Sequence, residues 1–206
     1  MVVEPFNAVW FGFLGTMALL GVGLHLALRH RPRKIQVRVC VTLAAANVVL
    51  YTLYTFKSIL NPGMPEVVFW QNLPFHFCNI VAWGLIPAYL FEMPRLRTLC
   101  YFPGALAGLL TLTSPVIVYI GHPLWSLESI GFYGVHSVNV ILGTLLGSLG
   151  FFKPTVLGAI KSVGYLFALI VVIFPLDAIM RATVDPNVNY FYLFNPEDAD
   201  ILEMAN

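Results

Sequence analysis

The sequence predicts an all-α fold, a polytopic transmembrane helical bundle of six spans. Three observations lead there. Hydrophobic residues make up 59% of the 206 and charged residues only 10%, where a soluble domain carries about 45–50% and about 25%. Mean hydropathy is +0.82. The apolar residues also gather into runs of about 18 or more, the length a helix needs to cross the hydrocarbon core. Net charge is +1, so no basic surface awaits a nucleic acid. Three cysteines at scattered spacing exclude a disulfide scaffold and a four-thiolate zinc site.

The six runs are 9–28, 39–56, 73–91, 98–120, 131–149 and 155–180. The first follows Glu4 rather than a basic stretch and is too long for a cleavable signal core. Short loops make the spans antiparallel neighbours in one transmembrane domain, residues 1–206, whose end (185–206) is an acidic tail. Pro74 falls at the start of the third run, where a missing N–H costs little, with Asn72 before it as a cap. Pro87, Pro103, Pro115 and Pro175 lie inside hydrophobic runs and should kink or shorten helices. Gly143, Gly147 and Gly150 mark one side of the fifth run for close packing.

Charge orients the bundle. The first loop carries Arg29, Arg31, Arg33, Lys34 and Arg38, the third Arg95 and Arg97, and the fifth Lys153. The second has only Lys57, and the fourth has neither Lys nor Arg. The positive-inside rule places loops one, three and five in the cytoplasm and both termini outside. The basic first loop serves topology alone or also meets anionic lipid.

Polar side chains inside lipid are costly and therefore candidates for function. Asn47 lies mid-span, where an interhelical hydrogen bond is the simplest role. Cys78 and His136 each lie five residues inside a span entered from the outer side, about 8 Å along the axis at the helical rise. Thr113 and Ser114 on the fourth span and Asp177 and Arg181 on the sixth approach the same level. Asn139 shares a face with His136, together with Tyr133 and Gly143; His76 and Asn79 share the face next to that of Cys78. Cys40 and Cys100 sit at cytoplasmic ends and should be reduced and without function.

Three readings of Cys78 stay open on these grounds. It is an inert buried thiol, a zinc ligand with His76 and His136, or a nucleophile with His136 as base. A His-x-Cys spacing on a helix is a poor two-ligand clamp, because residues two apart point to different faces. Asp177 and Arg181, four apart, pair with each other or bind a lipid head group, the planar guanidinium suiting a phosphate.

The segments NLPFHFCNIV, FYGVHSVNVI and VNYFYLFNP resemble the transmembrane protein 164 / YwaF-type family of integral membrane proteins. The resemblance implies a membrane enzyme with a Cys/His centre, a lipid acyltransferase in its animal members, with the cysteine at Cys78 and the histidine at His136. It also implies a further hydrophobic segment beyond the acidic tail. The expected function is a phospholipid acyltransferase or transacylase whose partners are membrane phospholipids and lysophospholipids. Asn139, Asn79 or His76 would serve as oxyanion donor or orienting group. No metal and no soluble cofactor is expected. The rival is a non-enzymatic membrane subunit or small-solute transporter that uses the same polar layer for binding.

Single-cysteine labelling in a background without native cysteines tests the orientation. Positions in 31–34 should label only from the cytoplasmic side and positions in 197–203 only from the other. Outer-side labelling of the first loop would invert the topology.

Overall fold

A computed structural model describes residues 6–56, 69–114 and 123–194. Seven α-helices run through them: α1 Ala8–Leu28, α2 Arg33–Thr55, α3 Phe77–Leu90, α4 Pro94–Leu99, α5 Ala105–Thr113, α6 Leu127–Ser148 and α7 Val156–Thr183. A π-helical turn, Cys100–Gly104, joins α4 to α5, and short 3-10 segments lie at Phe69–Asn72 and Tyr190–Tyr192. The described residues are all-helical, with no strand.

Four helices are long and apolar enough to cross a membrane: Ala8–Leu28, Arg33–Thr55, Ser129–Ser148 within α6, and Val156–Thr183. The other two expected spans take a different form. The run 73–91 yields a helix of 14 residues, about 21 Å at the helical rise and shorter than the roughly 30 Å hydrocarbon core. Pro74 is responsible at its start. It biases Leu73 away from helical backbone, so the helix begins only after the extended N-cap His76 and Pro74 lies outside it. The run 98–120 is interrupted by the π turn that contains Pro103, as expected where a ring denies the ladder one N–H; positions 115–120 lie outside the described residues. Pro175 does not end its helix, since α7 continues unbroken past it.

The fifth expected span starts too late. Ser126 caps α6, its hydroxyl accepting from the Ser129 amide at 3.1 Å, so the helix begins at Leu127 rather than Gly131. Asn7 and Thr155 cap α1 and α7 in the same way, at 2.8 and 3.0 Å.

Helix α6 is the centre. It packs against α1, α2, α3 and α5, and half of its span is buried, against 6% for α1 and 11% for α7. The largest buried cluster joins α2, α3 and α6 through Ala44, Leu85, Tyr89, Leu142 and Leu146. Tyr89 donates to the Leu142 carbonyl at 2.6 Å. Helix α1 attaches at both ends: the Trp10 indole donates to the Leu112 carbonyl at 3.1 Å, and Leu28 enters the largest cluster. Gly143 and Gly147 lie against Cys100 and Tyr101 of the π turn, matching the expected small-residue packing.

At the end carrying the basic loops, two arginines hold one turn. Arg97 donates to the carbonyls of Ala88 (2.8 Å), Phe91 (2.9 Å) and Phe151 (2.5 Å). Arg33 donates to Leu149 (3.2 Å) and Gly150 (2.9 Å) and stacks 4.0 Å over the Phe151 ring. The turn they hold follows α6 through Gly150, whose φ of +71° is left-handed and suits glycine. Basic residues that set topology thus also close the bundle.

Replacing Arg97 with alanine removes the donor for three carbonyls. At 1.5–3 kcal/mol for a hydrogen bond to a charged group, with partial rescue by water, the loss should be on the order of 3 kcal/mol. Arg97→Lys should recover only part of it, because a point charge cannot reproduce the fork. Thermal unfolding in detergent reads both. An unchanged midpoint for Arg97→Ala would remove this clamp from the account.

Candidate active site

Four helices bring polar groups together around Cys78. Cys78 is the second residue of α3. Its backbone carbonyl accepts from Asn139 Nδ2 of α6 at 2.9 Å. Asn139 Oδ1 in turn accepts from Asn47 Nδ2 of α2 at 3.0 Å, and the same Asn47 nitrogen lies 3.5 Å from the Val135 carbonyl. Asn47 and Asn139 are both buried. Sequence depth alone put Cys78 and His136 level by counting five residues from each helix start. The starts differ from that count; the Asn139–Cys78 bond places the start of α3 on α6 one turn from His136.

The thiol itself lies against the Thr111 hydroxyl of α5, a contact that sequence reasoning did not single out. Thr111 was visible only as one of several intramembrane hydroxyls. Three residues earlier on that face, Gly108 seats α5 on α6 at His136. A Cβ there would stand 3.2 Å from the His136 carbonyl and 2.9 Å from Val140 Cγ2, so only glycine permits the approach.

His136 is half-buried on α6, one turn before Asn139. Its Nδ1 lies 2.7 Å from the Phe132 carbonyl. A carbonyl only accepts, so Nδ1 carries the proton and the neutral ring keeps its lone pair on Nε2. Phe132 also packs on the imidazole, with centroids 4.6 Å apart. These two contacts fix both tautomer and ring plane. No hydrogen bond joins this ring to the Cys78 thiol: the thiol's polar neighbour is Thr111 and the ring's is Phe132. The described residues hold no group of three His, Cys, Asp or Glu side chains able to share one metal ion.

The remaining candidates take other places. Asn79 donates to the Tyr51 hydroxyl at 3.0 Å, and Tyr51 donates to the Asn72 carbonyl at 3.0 Å. These bonds anchor the start of α3 to α2. His76 caps α3 and packs on Tyr190 and Tyr192, with centroids 5.7 and 5.2 Å away. Its Nδ1 is buried without a partner. The tail segment that covers it is a strap, residues 185–194. Tyr190 is fully buried within it and donates to the Trp70 carbonyl. Burial, with the Asp177 carboxylate beside it, pushes the Tyr190 phenol up to about 12, which keeps it a donor at any ordinary pH.

Asp177 and Arg181 do not pair, contrary to one sequence expectation. Arg181 donates to the Val188 carbonyl at 2.8 Å and lies 4.8 Å over the Phe194 ring, while both Asp177 oxygens are buried without a hydrogen bond. The strap takes the arginine because its carbonyl turns toward the helix where water is scarce. Cys40 and Cys100 are buried and free. The acidic positions 197–203 and the loop histidine His122 lie outside the described residues.

A groove of about 610 Å³ lies elsewhere. It runs between α1 and α6 and is lined by Gly12, Phe13, Trp125, Ile130 and Tyr133 among others. Neither Cys78 nor His136 borders it.

Asn139→Ala should leave the Cys78 carbonyl and the Asn47 amide without their shared partner, costing about 1–3 kcal/mol. A double-mutant cycle with Asn47→Ala should return a coupling energy of at least about 0.5 kcal/mol. Additive losses would mean that the two amides do not act together.

No curated protein and no solved structure gives a match. The sequence model of the TMEM164 family matches residues 5–206, nearly the whole chain, and four apolar helices accompany it. This is a multi-pass membrane protein, and it belongs to the TMEM164 family.

Proposed function

We propose that this protein is a membrane phospholipid acyltransferase or transacylase in which Cys78 is the nucleophile and His136 the general base. The observation that carries the reading is the His136 tautomer. With Nδ1 committed to the Phe132 carbonyl at 2.7 Å, Nε2 is the basic nitrogen, on a helix tied to Cys78 through Asn139 at 2.9 Å. A base must be held in the right protonation state before it is useful, and this contact does so without a carboxylate.

In the first half-reaction Nε2 takes the thiol proton and sulfur attacks a phospholipid ester carbonyl. A C–S bond forms, the ester C–O bond breaks, and the lysolipid oxygen leaves with the proton from His136. In the second, His136 takes the proton of an acceptor lysolipid hydroxyl. That oxygen attacks the thioester, C–O forms, C–S breaks, and the thiol is restored. The ring closes on the thiol when lipid is bound, since catalytic contacts are often long in empty sites. Thr111, beside the sulfur, gives its own proton to the Ala107 carbonyl at 2.9 Å, so its oxygen is the acceptor that orients the Cys78 S–H. Asn139 and Asn79 spend amide donors on Cys78 and Tyr51, which suits them to orient the helix start rather than to receive an oxyanion.

The proposed topology has six crossings. The 14-residue α3 and the continuous stretch from Pro94 through Thr113 add two to the four long helices. Lys and Arg asymmetry puts both termini on the non-cytoplasmic side. Cys78 then lies just below the outer head groups, where ester bonds sit.

Supplied with a diacyl phospholipid and no lysolipid acceptor, the purified protein should gain one acyl mass. Hydroxylamine at neutral pH should remove it, as expected of a thioester. Cys78→Ala should abolish the adduct, while Cys40→Ala and Cys100→Ala should keep it. His136→Ala should slow its formation by a factor on the order of 10²–10⁴. No acyl mass on the wild type, or the same mass on Cys78→Ala, would transfer the polar layer to a binding or transport role.

A further inference from the structure

Two unlike charges stand one turn apart on α7 without a hydrogen bond between them. Asp177 is 0% exposed, and neither carboxylate oxygen has a hydrogen bond. The Tyr190 amide lies beside it without closing one. An ionised carboxylate left so is costly, and nothing in the packing requires an acid there. Four residues on, Arg181 spends one N–H on the Val188 carbonyl, its one hydrogen bond among the described residues. The ring of Phe194 lies under the guanidinium and stacks on Phe174, centroids 5.2 Å apart.

The covering element carries strain at this place. Phe191 and Tyr192 both have left-handed backbone, φ 58° and 56°, a region that costs a bulky residue energy and clusters at functional sites. The conformation is held by aromatic contacts of His76 and Phe77 with the strap and by Asn189 Oδ1, which accepts from the Phe194 amide at 3.1 Å. The same strap therefore touches the start of α3, two residues from Cys78, and roofs Asp177.

We propose that Asp177 and Arg181 form a binding site for a zwitterionic, amine-bearing phospholipid head group, the carboxylate taking the ammonium and the guanidinium the phosphate. An acceptor-only carboxylate matches an ammonium, and a planar fork matches phosphate oxygens. In such a head group the two charges are separated by two carbons and an oxygen, a spacing one helical turn accommodates. Tyr190 and Phe194 add aromatic walls of the kind that favour organic cations. The ammonium reaches Asp177 when the strained strap shifts. This inference rests on the phospholipid reading of Cys78 and His136, whose ester chemistry lies one strap width away.

The test is lipid retention, which needs no acyl transfer. Native mass spectrometry of the purified protein, offered phosphatidylethanolamine and phosphatidylglycerol of identical chains in equal amounts, reads the preference. Wild type should favour the amine lipid by at least about tenfold, the factor one hydrogen bond to a charged group supplies. Asp177→Asn keeps the volume and removes the charge, and it should bring the ratio near one. Arg181→Gln should weaken retention of both lipids. Cys78→Ala should keep the wild-type ratio, so a failed acyl transfer and a failed head-group site give different results. Equal retention by wild type, an unchanged ratio in Asp177→Asn, or unchanged retention in Arg181→Gln would each overturn the proposal. So would an Asp177-dependent thermal stabilisation by sodium chloride over choline chloride without an amine preference, which would make the site one for an inorganic cation. Circular dichroism of both variants confirms that they fold; should Asp177→Asn unfold, the Arg181→Gln result still decides.

Discussion

Everything at the centre of this molecule depends on one side-chain amide. In lipid a polar group has no water to fall back on, so its partner must come from another helix. Asn139 meets that demand twice, giving its N–H to the Cys78 carbonyl and receiving one from Asn47. Three helices are thereby fixed at one level. The arrangement begins a helix, because Cys78 stands in the first turn of α3. It also places His136, one turn from Asn139, on the same central helix. The backbone finishes the job: Phe132 selects the tautomer and Gly108 admits α5.

The two ends of the bundle solve different problems. At the basic end, Arg97 and Arg33 are consumed by carbonyls at the end of α3 and of the turn after α6. Their charges orient the chain and close it with the same atoms. At the other end, among the described residues, Arg181 has one hydrogen bond and Asp177 none, and the strap above them is strained. Energy spent at the first end gives rigidity. At the second, strain is held beside the start of α3.

Much of this was legible in the residues. Composition gave the all-helical membrane class, and the mid-span position of Asn47 signalled an interhelical bond. The shared face of His136 and Asn139 followed from helical spacing. Boundaries were harder. Ser126 extends α6 upstream of Gly131, and Pro74 shortens α3, because capping and pre-proline sterics act locally beneath the hydropathy signal. Tertiary partners were not legible at all. Spacing brings Asp177 and Arg181 together, but the strap offers Arg181 the Val188 carbonyl. Thr111 reaches Cys78 only because Gly108 lets α5 sink onto α6. Neither fact has a one-dimensional trace.

The account's central claim is that His136 activates Cys78. The most direct measurement is the alkylation rate of Cys78 by a small uncharged thiol reagent, at neutral pH with a saturating diether phospholipid, which fills the site but has no ester to transfer. Wild type and His136→Gln would be compared in a background lacking Cys40 and Cys100. A working base raises the thiolate fraction, so the wild type should react at least about tenfold faster, within the range a positioned base contributes. Equal rates in the two proteins, both well folded, would contradict the pairing and leave Cys78 a packing residue.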